Sequence, residues 1–252
     1  MEEKKTKIKK MIKDAFVIAA LKSIPDLKRQ PLMLMMIGLI SAVPLFFLMI
    51  FGGEISYGFI GAMISTVGFI GIVSAIQDIT WDRYIKVREM IVAMPVHPLS
   101  YMLGAAMAPL IFSAPGIVFF LAIALGFGFL PLQSLGWTIV ALLMCWAVLS
   151  SIGFVISTYL KKTSAYTLSN VSNILGLGLI FIPPVYYPEE MLGGISWIAV
   201  LFPTSNAAGL IRAYSGLSSL TLEIIMIRWL VLLAMMIVSI LLVVFKAKWR
   251  ET

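Results

Sequence analysis

Charged side chains are scarce in this sequence. Only 12% of its 252 residues are Asp, Glu, Lys or Arg and 61% are hydrophobic, whereas an ordinary globular domain is about a quarter charged. Residues 90–160 contain no charged side chain at all. So few charges cannot cover the surface of a soluble domain, and about 20 apolar residues suffice for a helix to cross a bilayer. The sequence therefore predicts an integral membrane protein.

Several kinds of chemistry lack the residues that they need. The single cysteine, Cys145, allows neither a disulfide nor a cysteine metal site within the chain, and we expect it to be an apolar filler in a helix. The single histidine, His97, allows no histidine pair for a metal, and its position between two prolines is typical of a solvated loop. No Gly-x-x-x-x-Gly-Lys-Ser/Thr run is present, so this chain has no P-loop for nucleotide phosphates.

Apolar runs separated by charges, glycines and prolines predict an all-α membrane protein with six transmembrane helices. Gly126 to Pro131 divides the third span from the fourth, and Pro183-Pro184 ends the fifth. The predicted spans are residues 32–51, 55–76, 102–125, 137–157, 165–182 and 222–245. They form a transmembrane domain over residues 31–245, preceded by a leader at 1–30 and followed by a tail at 246–252.

The basic residues predict the orientation of these spans. Seventeen of the 19 Lys and Arg residues lie in four segments, at 1–30, 83–88, 161–162 and 246–250. Two predicted spans separate each of these segments from the next, so all four lie on the same side of the membrane. Positive charge marks the cytoplasmic side, so both termini of this multi-pass protein of the cell membrane are predicted to be cytoplasmic. The net charge of +7 thus reports topology, and no basic and aromatic pattern indicates nucleic acid as a partner. Of the two exceptions, we expect Arg212 to be a snorkelling or paired cation and Arg228 to snorkel outward.

The leader has the pattern of an amphipathic helix. Apolar residues at helical spacing form one face and lysines form another, the apolar set being Ile8, Met11, Ile12, Ala15, Phe16 and Ala19, and the lysines Lys9, Lys10 and Lys13. Such a helix is expected to lie on anionic membrane lipid and to end at Pro25. A disordered basic leader is the alternative.

Two further segments have unusual patterns. Between spans two and three, Trp81, Tyr84, Val87, Ile91 and Met94 recur at helical spacing, which predicts a short amphipathic cytoplasmic helix that rests on the membrane or binds a partner. The segment at 183–220 is apolar yet repeatedly broken by proline and glycine. Irregular backbone at membrane depth needs protein around it, so we expect half-helices that dip in from the outer face. The alternative is a loop on the membrane surface.

Small residues along span two predict a close helix contact. Gly61, Ser65, Gly68 and Ala75 lie on one helical stripe, which lets another backbone approach. The pattern leaves open whether that contact is within one subunit or across a dimer.

One pattern favours an enzyme. Asp78 and Asp82, four residues apart, share a helix face and could hold Mg²⁺ on a diphosphate, as in membrane prenyl- or phosphatidyl-transferases. The sequence has no second aspartate cluster of the kind those families usually need. A non-catalytic membrane assembly factor, including a relative of cytochrome-biogenesis permeases, is a further alternative.

The combination of features over roughly residues 15–248 resembles a permease of the type-2 exporter family of ABC transporters. The resemblance rests on six spans, the basic leader, the charged helix that ends at Pro95-Val96, and the run Tyr187-Pro188-Glu189-Glu190-Met191, Trp197, Phe202-Pro203-Thr204 and Arg212. Many members have a second proline where this chain has Gly193-Gly194, and often Asn-Pro at Phe202-Pro203. These departures leave the subfamily and the substrate open.

The resemblance implies a transmembrane subunit that is not itself an enzyme. Two permeases, as a homodimer or a pair, would form an export pathway for an amphipathic drug, lipid or lipid-linked glycan. A separate ATPase subunit would hold ATP and Mg²⁺, and this chain would bind no cofactor. Residues implied to contact the ATPase are Asp82, Arg83, Lys86, Arg88, Glu89, Met90 and Pro95. Residues implied for a re-entrant outer gate are Pro188, Glu189, Trp197, Pro203 and Arg212.

Overall fold

The computed structural model describes residues 2–29, 54–84, 97–160 and 163–246, which form helices joined by short turns and contain no β-strand. In chain order the α-helices are α1 (Glu2–Arg29), α2 (Ile55–Phe69), α3 (Ala75–Tyr84), α4 (Pro98–Gly126), α5 (Leu135–Tyr159), α6 (Ala165–Phe181), α7 (Pro203–Tyr214) and α8 (Leu222–Lys246). A π-helical turn, Ile70–Ser74, joins α2 to α3, and 3₁₀ helices occupy Leu132–Ser134 and Glu189–Leu201. The predicted all-α class is confirmed for the described residues.

Several of these helices are long and apolar enough to cross a membrane. Three stretches meet this condition alone, namely Ile55–Asp82, Leu132–Tyr159 and Leu222–Lys246. Two bent pairs raise the number among the described residues to five: Ser100–Ile111 with Ala114–Gly126, bent by 53°, and Glu189–Leu201 with Pro203–Tyr214, bent by 111°. The predicted fifth span is the 17-residue α6. The predicted first span, 32–51, lies outside the described residues, as does the predicted cytoplasmic helix beyond Tyr84.

The continuous rod of α2, the π turn and α3 is the centre of the bundle, and it contacts α4, α5, α6 and α7. Glycines on the neighbouring helices make these contacts close. A Cβ atom added at Gly153 of α5 would lie 2.8 Å from the Ile72 carbonyl oxygen, and one at Gly176 of α6 would lie 2.6 Å from Val73 Cγ2. Small residues permit such close approach of two backbones. Helices in a bilayer associate through contacts of this kind, because lipid provides no hydrophobic driving force between them.

Helix α8 lies at the edge of the bundle. Only 22% of its most apolar window is buried, compared with 83% for the central rod. It packs on α5 and α7 through residues that include Leu232 and Trp229, and its remaining faces expose large apolar side chains such as Leu230 and Ile237. This distribution suits a helix with lipid around most of its circumference.

Helix α1 packs lengthwise on α4. The sequence predicts that the whole apolar face of α1 lies on the membrane, but part of that face packs on α4 instead. Ala15 and Ala19 are buried in the protein, whereas Ile12 and Phe16 are more than half exposed. The approach is close because α4 has Gly104 at the contact, where an added Cβ would lie 2.7 Å from Ile18 Cβ. The small residues of the predicted face therefore bind α4, and its large residues remain available to lipid.

The predicted end of α1 at Pro25 is wrong, because the helix continues to Arg29. Proline removes one backbone hydrogen bond and strains the preceding turn. Burial of Ala19 and Ser23 in the last turn before it supplies packing that the sequence pattern did not reveal.

Candidate functional site

A group of polar residues surrounds two buried arginines, and we call it the arginine site. It comprises Tyr57 of α2, Glu189 at the start of the 3₁₀ helix, Arg212 in the last turn of α7, Ser218 in the α7–α8 link, and Arg228 of α8. Both arginines are only 2% exposed. Since an unpaired buried cation is very costly, their partners define what this site does.

Arg212 is held by backbone oxygens and an aromatic ring. Its Nη1 donates to the carbonyl oxygens of Pro184 at 3.0 Å and Tyr187 at 3.2 Å, and its Nη2 donates to that of Val185. Its Cζ lies 4.2 Å from the centre of the Tyr57 ring, a cation–π distance. Arg212 therefore fixes the turn that follows α6 against the start of the central rod.

Arg228 joins α8 to the 3₁₀ helix. Its Nη2 forms an ion pair with Glu189 Oε2, and its Nη1 donates to the Ser205 carbonyl oxygen at 3.4 Å. Gly209 makes room for the guanidinium, since an added Cβ there would lie 2.5 Å from Nη1. The expectation that Arg228 snorkels outward is therefore wrong. The side chain points into the protein because it pairs there with the carboxylate of Glu189, 39 residues away in sequence.

The 111° bend between the 3₁₀ helix and α7 has its own hydrogen bonds. Pro203 is at the N-terminus of α7, where its missing N–H has no helical partner to lose. Asn206 Nδ2 donates to the carbonyl oxygens of Val200 at 2.7 Å and Phe202 at 3.1 Å. Thr204 Oγ1 donates to the Leu179 carbonyl oxygen of α6 at 2.7 Å. The Asn206 side chain thus bonds the Val200 carbonyl oxygen at the bend, and the Thr204 side chain joins the start of α7 to α6.

The structure brings some of the predicted gate residues together and separates others. Pro188, Glu189 and Arg212 line one small cavity, and Pro203 is buried at the bend. Trp197 lies away from them and is 64% exposed. Within the same turn, burial raises the pKa of the Tyr187 phenol, and its hydroxyl donates to the Ile182 carbonyl oxygen at 2.6 Å.

The stripe of small residues faces the interior of this chain. An added Cβ at Gly61 would lie 2.5 Å from Tyr186 Cδ1, and one at Gly68 would lie 3.3 Å from Thr204 Cγ2. Ser65 and Ala75 are buried on the same rod. The turn before the 3₁₀ helix and the start of α7 therefore pack on α2 through the predicted stripe, within one subunit.

A second polar group, the Asp82 cluster of Lys22, Asp82 and Tyr101, lies at the other end of the central rod. Asp82 Oδ2 accepts hydrogen bonds from Lys22 Nζ of α1 at 2.5 Å and from Tyr101 Oη of α4 at 2.8 Å. Twenty-five residues separate Tyr57 from Asp82, or roughly 38 Å of helix. The two polar groups are thus about one membrane thickness apart.

The Asp82 cluster bears on both roles that the sequence suggests for Asp82. Asp82 is only 7% exposed, and it accepts both hydrogen bonds from side chains of this chain. The described residues contain no group of three His, Cys, Asp or Glu side chains placed to hold a metal ion. The Arg83 side chain lies outside the description, as do the remaining residues implied to contact the ATPase, Lys86, Arg88, Glu89, Met90 and Pro95.

Sequence reasoning missed two partners and one backbone feature. The sequence pattern places Lys22 only within a basic leader, and Tyr57 carries no signal because an aromatic residue is ordinary in a span. A cation within an apolar helix does predict a buried partner, and Arg228 could have been interpreted in that way. The π turn at Ile70–Ser74 has no sequence signature that we can identify.

Comparison with protein-family models, with curated proteins and with solved structures gives no match to this chain.

Proposed function

We propose that this chain is the transmembrane permease subunit of an ATP-driven exporter of the ABC type-2 family. Two copies, or this chain and a second permease, would form the pathway for an amphipathic substrate such as a drug, a lipid or a lipid-linked glycan. A separate ATPase subunit would bind ATP and Mg²⁺ on the cytoplasmic side. Six spans with both termini in the cytoplasm belong to the same proposal.

The observation that carries this proposal is the 111° bend between Glu189–Leu201 and Pro203–Tyr214, directly before the apolar helix α8. A bent pair of short helices among long apolar ones is the shape of a re-entrant segment, whose backbone must be bonded internally at membrane depth. Asn206 supplies part of this bonding through its hydrogen bond to the Val200 carbonyl oxygen. A segment of this shape before the last span is what the resemblance leads us to expect of an outer gate.

The position of α1 supports the same proposal. A basic helix that packs along α4 while it exposes Ile12, Phe16 and several lysines suits the membrane–cytoplasm interface. Through Lys22 and Asp82 this helix is bonded to the end of the central rod, two residues before the described part of that rod ends. The charged residues that follow, with Arg88 and Glu89 among them, would contact the ATPase.

The test is binding to, and stimulation of, a P-loop ATPase encoded beside this gene. We expect the two proteins to co-purify from membranes and the permease to raise the rate of ATP hydrolysis. The double charge reversal Arg88→Glu with Glu89→Arg should abolish co-purification without changing membrane insertion. Lys246→Glu, a reversal at the exposed end of α8, is the matched control and should leave binding unchanged.

Two results would count against the proposal. Unchanged co-purification of the double reversal would remove Arg88 and Glu89 from the ATPase contact. The absence of any partner ATPase, together with a Mg²⁺-dependent transferase activity of the purified chain that Asp78→Ala abolishes, would favour an enzyme instead. The hydrogen bonds of Asp82 to Lys22 and Tyr101 weigh against that alternative, because they engage the carboxylate that Mg²⁺ would need.

A further inference from the structure

Helix α6 has an exposed face that runs along its whole length. Its buried residues pack on the central rod, where an added Cβ at Gly176 would lie 2.6 Å from Val73 Cγ2. On the opposite side, residues spaced alternately three and four apart are exposed, namely Thr167, Asn170, Ile174, Leu177 and Phe181. This spacing is the seven-residue repeat through which one helix packs along another. We call these five residues the α6 seam.

The first half of the α6 seam lies at membrane depth in the proposed six-span arrangement, in which α6 is the fifth span. The helix has 17 residues, or about 26 Å of length. This is shorter than the hydrocarbon core of a bilayer, at about 30 Å, so the first turns of α6 lie within the core. Asn170 is about 8 Å along the helix from Ala165. Lipid tails at that depth neither donate nor accept hydrogen bonds.

The amides of this region differ in their hydrogen bonds. On the inner side of α6, Gln77 Nε2 of the central rod donates to Asn173 Oδ1 and to Ser172 Oγ, both at 3.2 Å. The Asn170 side chain is on the exposed side, and no described residue forms a hydrogen bond with it. An amide without a partner is costly in an apolar medium. We therefore expect its partner to come from outside this chain.

The exposed face of α8 provides a comparison. Between Ile224 and Phe245 every exposed residue of α8 is apolar, which suits contact with lipid tails. The α6 seam has two polar residues instead. The Thr167 hydroxyl is bonded to Ser164 Oγ at 2.8 Å, so the Asn170 amide is the group that lipid cannot cover.

We propose that the α6 seam is the contact between two copies of this chain, in which Asn170 bonds to Asn170 of the partner subunit. The contact rests on the proposed function, in which two permeases form the pathway, and it names the surface through which they meet. Two copies inserted in the same orientation are related by a two-fold axis along the membrane normal. Each seam residue at that axis meets its own counterpart at the same depth. An amide both donates and accepts, so two Asn170 side chains satisfy each other.

Oxidative cross-linking of single cysteines in native membranes tests the contact. The wild-type chain is the background, because its one cysteine is buried and should not cross-link. Disulfides form when Cα atoms come within about 7 Å, so Ile174→Cys and Leu177→Cys should each give a dimer on non-reducing gels. Leu233→Cys of α8 is the matched control and should stay monomeric. Leu233 is 41% exposed, compared with 47% for Leu177, and lies at a similar depth in the proposed topology.

A second measurement isolates the Asn170 amide. Förster transfer between copies labelled at the C-terminus reports dimerisation in liposomes as the protein is diluted with lipid. Asn170→Leu should raise the dimer dissociation constant about 3- to 30-fold, the effect of losing one interhelical hydrogen bond in a membrane. Asn170→Gln keeps an amide and should stay near the wild type. Residue 170 is exposed, so both variants should keep the wild-type Tm.

The outcomes separate a second copy from other occupants of the seam. Cross-links at both α6 positions but not at Leu233→Cys support the proposal. Equal cross-linking at all three positions would mean random collision, and no cross-link at α6 would mean a different contact or a different permease; either overturns the proposal. Rapid reaction of Ile174→Cys with a charged, membrane-impermeant maleimide would also overturn it, because the seam would then line water. So would an unchanged dissociation constant in Asn170→Leu.

The ATPase test of the proposed function is independent of this one. If the ATPase binds and is stimulated while the α6 positions do not cross-link, the α6 contact fails and the proposed function stands. If the α6 positions cross-link and no partner ATPase exists, the contact stands and the proposed function fails.

Discussion

Replacing Glu189 by glutamine should destabilise this protein more than replacing its partner Arg228 by methionine. The two side chains of this ion pair differ in exposure, at 3% for Arg228 and 19% for Glu189. Glutamine at 189 leaves a guanidinium buried, with the Ser205 carbonyl oxygen at 3.4 Å as its remaining acceptor. Loss of one partner from a buried pair costs about 3–5 kcal/mol of the free energy of unfolding.

Arg228→Met leaves the opposite half of the pair. The Glu189 carboxylate is partly reached by solvent, and methionine retains an apolar side chain of suitable length beside Gly209. We expect a loss of about 1–3 kcal/mol, the cost of one unsatisfied polar group. In the double variant Glu189→Gln with Arg228→Met neither member of the pair is charged, and replacement of a buried pair by uncharged side chains is often nearly neutral. The second substitution should therefore restore stability to Glu189→Gln.

The assay is unfolding of the detergent-solubilised chain with increasing SDS, followed by far-UV circular dichroism. Glu190→Gln is the matched control, since this neighbouring carboxylate is exposed, and its effect should stay within about 0.5 kcal/mol. The reasoning fails if Arg228→Met costs more than Glu189→Gln, or if the double variant is less stable than both single variants.

Three shorter predictions concern other parts of the bundle. Gly61→Ala should lower the free energy of unfolding by about 1–3 kcal/mol, because the added methyl group would lie 2.5 Å from the Tyr186 ring and overpack the contact. Gly126→Ala is the control and should have no such effect, since a Cβ there meets nothing within 4 Å. Comparison of the Tm values of the two variants tests this. Asp82→Ala should leave the Lys22 ammonium without its carboxylate and loosen α1, seen as faster proteolysis in the leader, and an unchanged cleavage rate would contradict this. The Cys145 thiol, buried in α5, should react with maleimide only after unfolding, so labelling of the folded protein would refute its position.

The architecture of single helices followed from local patterns. Apolar runs of about 20 residues predicted helices at 55–76, 137–157 and 222–245, and the structure has apolar helical stretches at Ile55–Asp82, Leu132–Tyr159 and Leu222–Lys246, because a chain in lipid satisfies its backbone hydrogen bonds only within helices. The breaks were equally local, since the prolines at 183 and 184 follow the end of α6. Pro25 does not end α1 as its sequence signal predicts, because packing on α4 outweighs one lost hydrogen bond, and a proline signal carries no information about packing.

The sequence predicted the candidate sites only in outline. Proline and glycine in the segment 183–220 predicted an irregular stretch near Glu189 and Arg212, and the structure has a sharply bent helix pair there. The stripe of small residues predicted a close contact but not its partner, which is the ring of Tyr186 at Gly61. Periodicity shows which face of a helix is suited to contact, and the other half of that contact lies elsewhere in the chain.

The sequence by itself determined that this chain forms apolar helices long enough to cross a membrane, with basic residues gathered in a few segments, because hydropathy and charge are summed along the chain and need no partner. Only the tertiary structure decided which charges meet. Lys22 pairs with Asp82 across 60 residues and Arg228 with Glu189 across 39. A buried charge pairs with whichever partner the packing of helices brings within about 3 Å. That packing is fixed by side-chain shape at close contacts, such as those that Gly104 of α4 makes with α1 and Gly209 of α7 makes with Arg228.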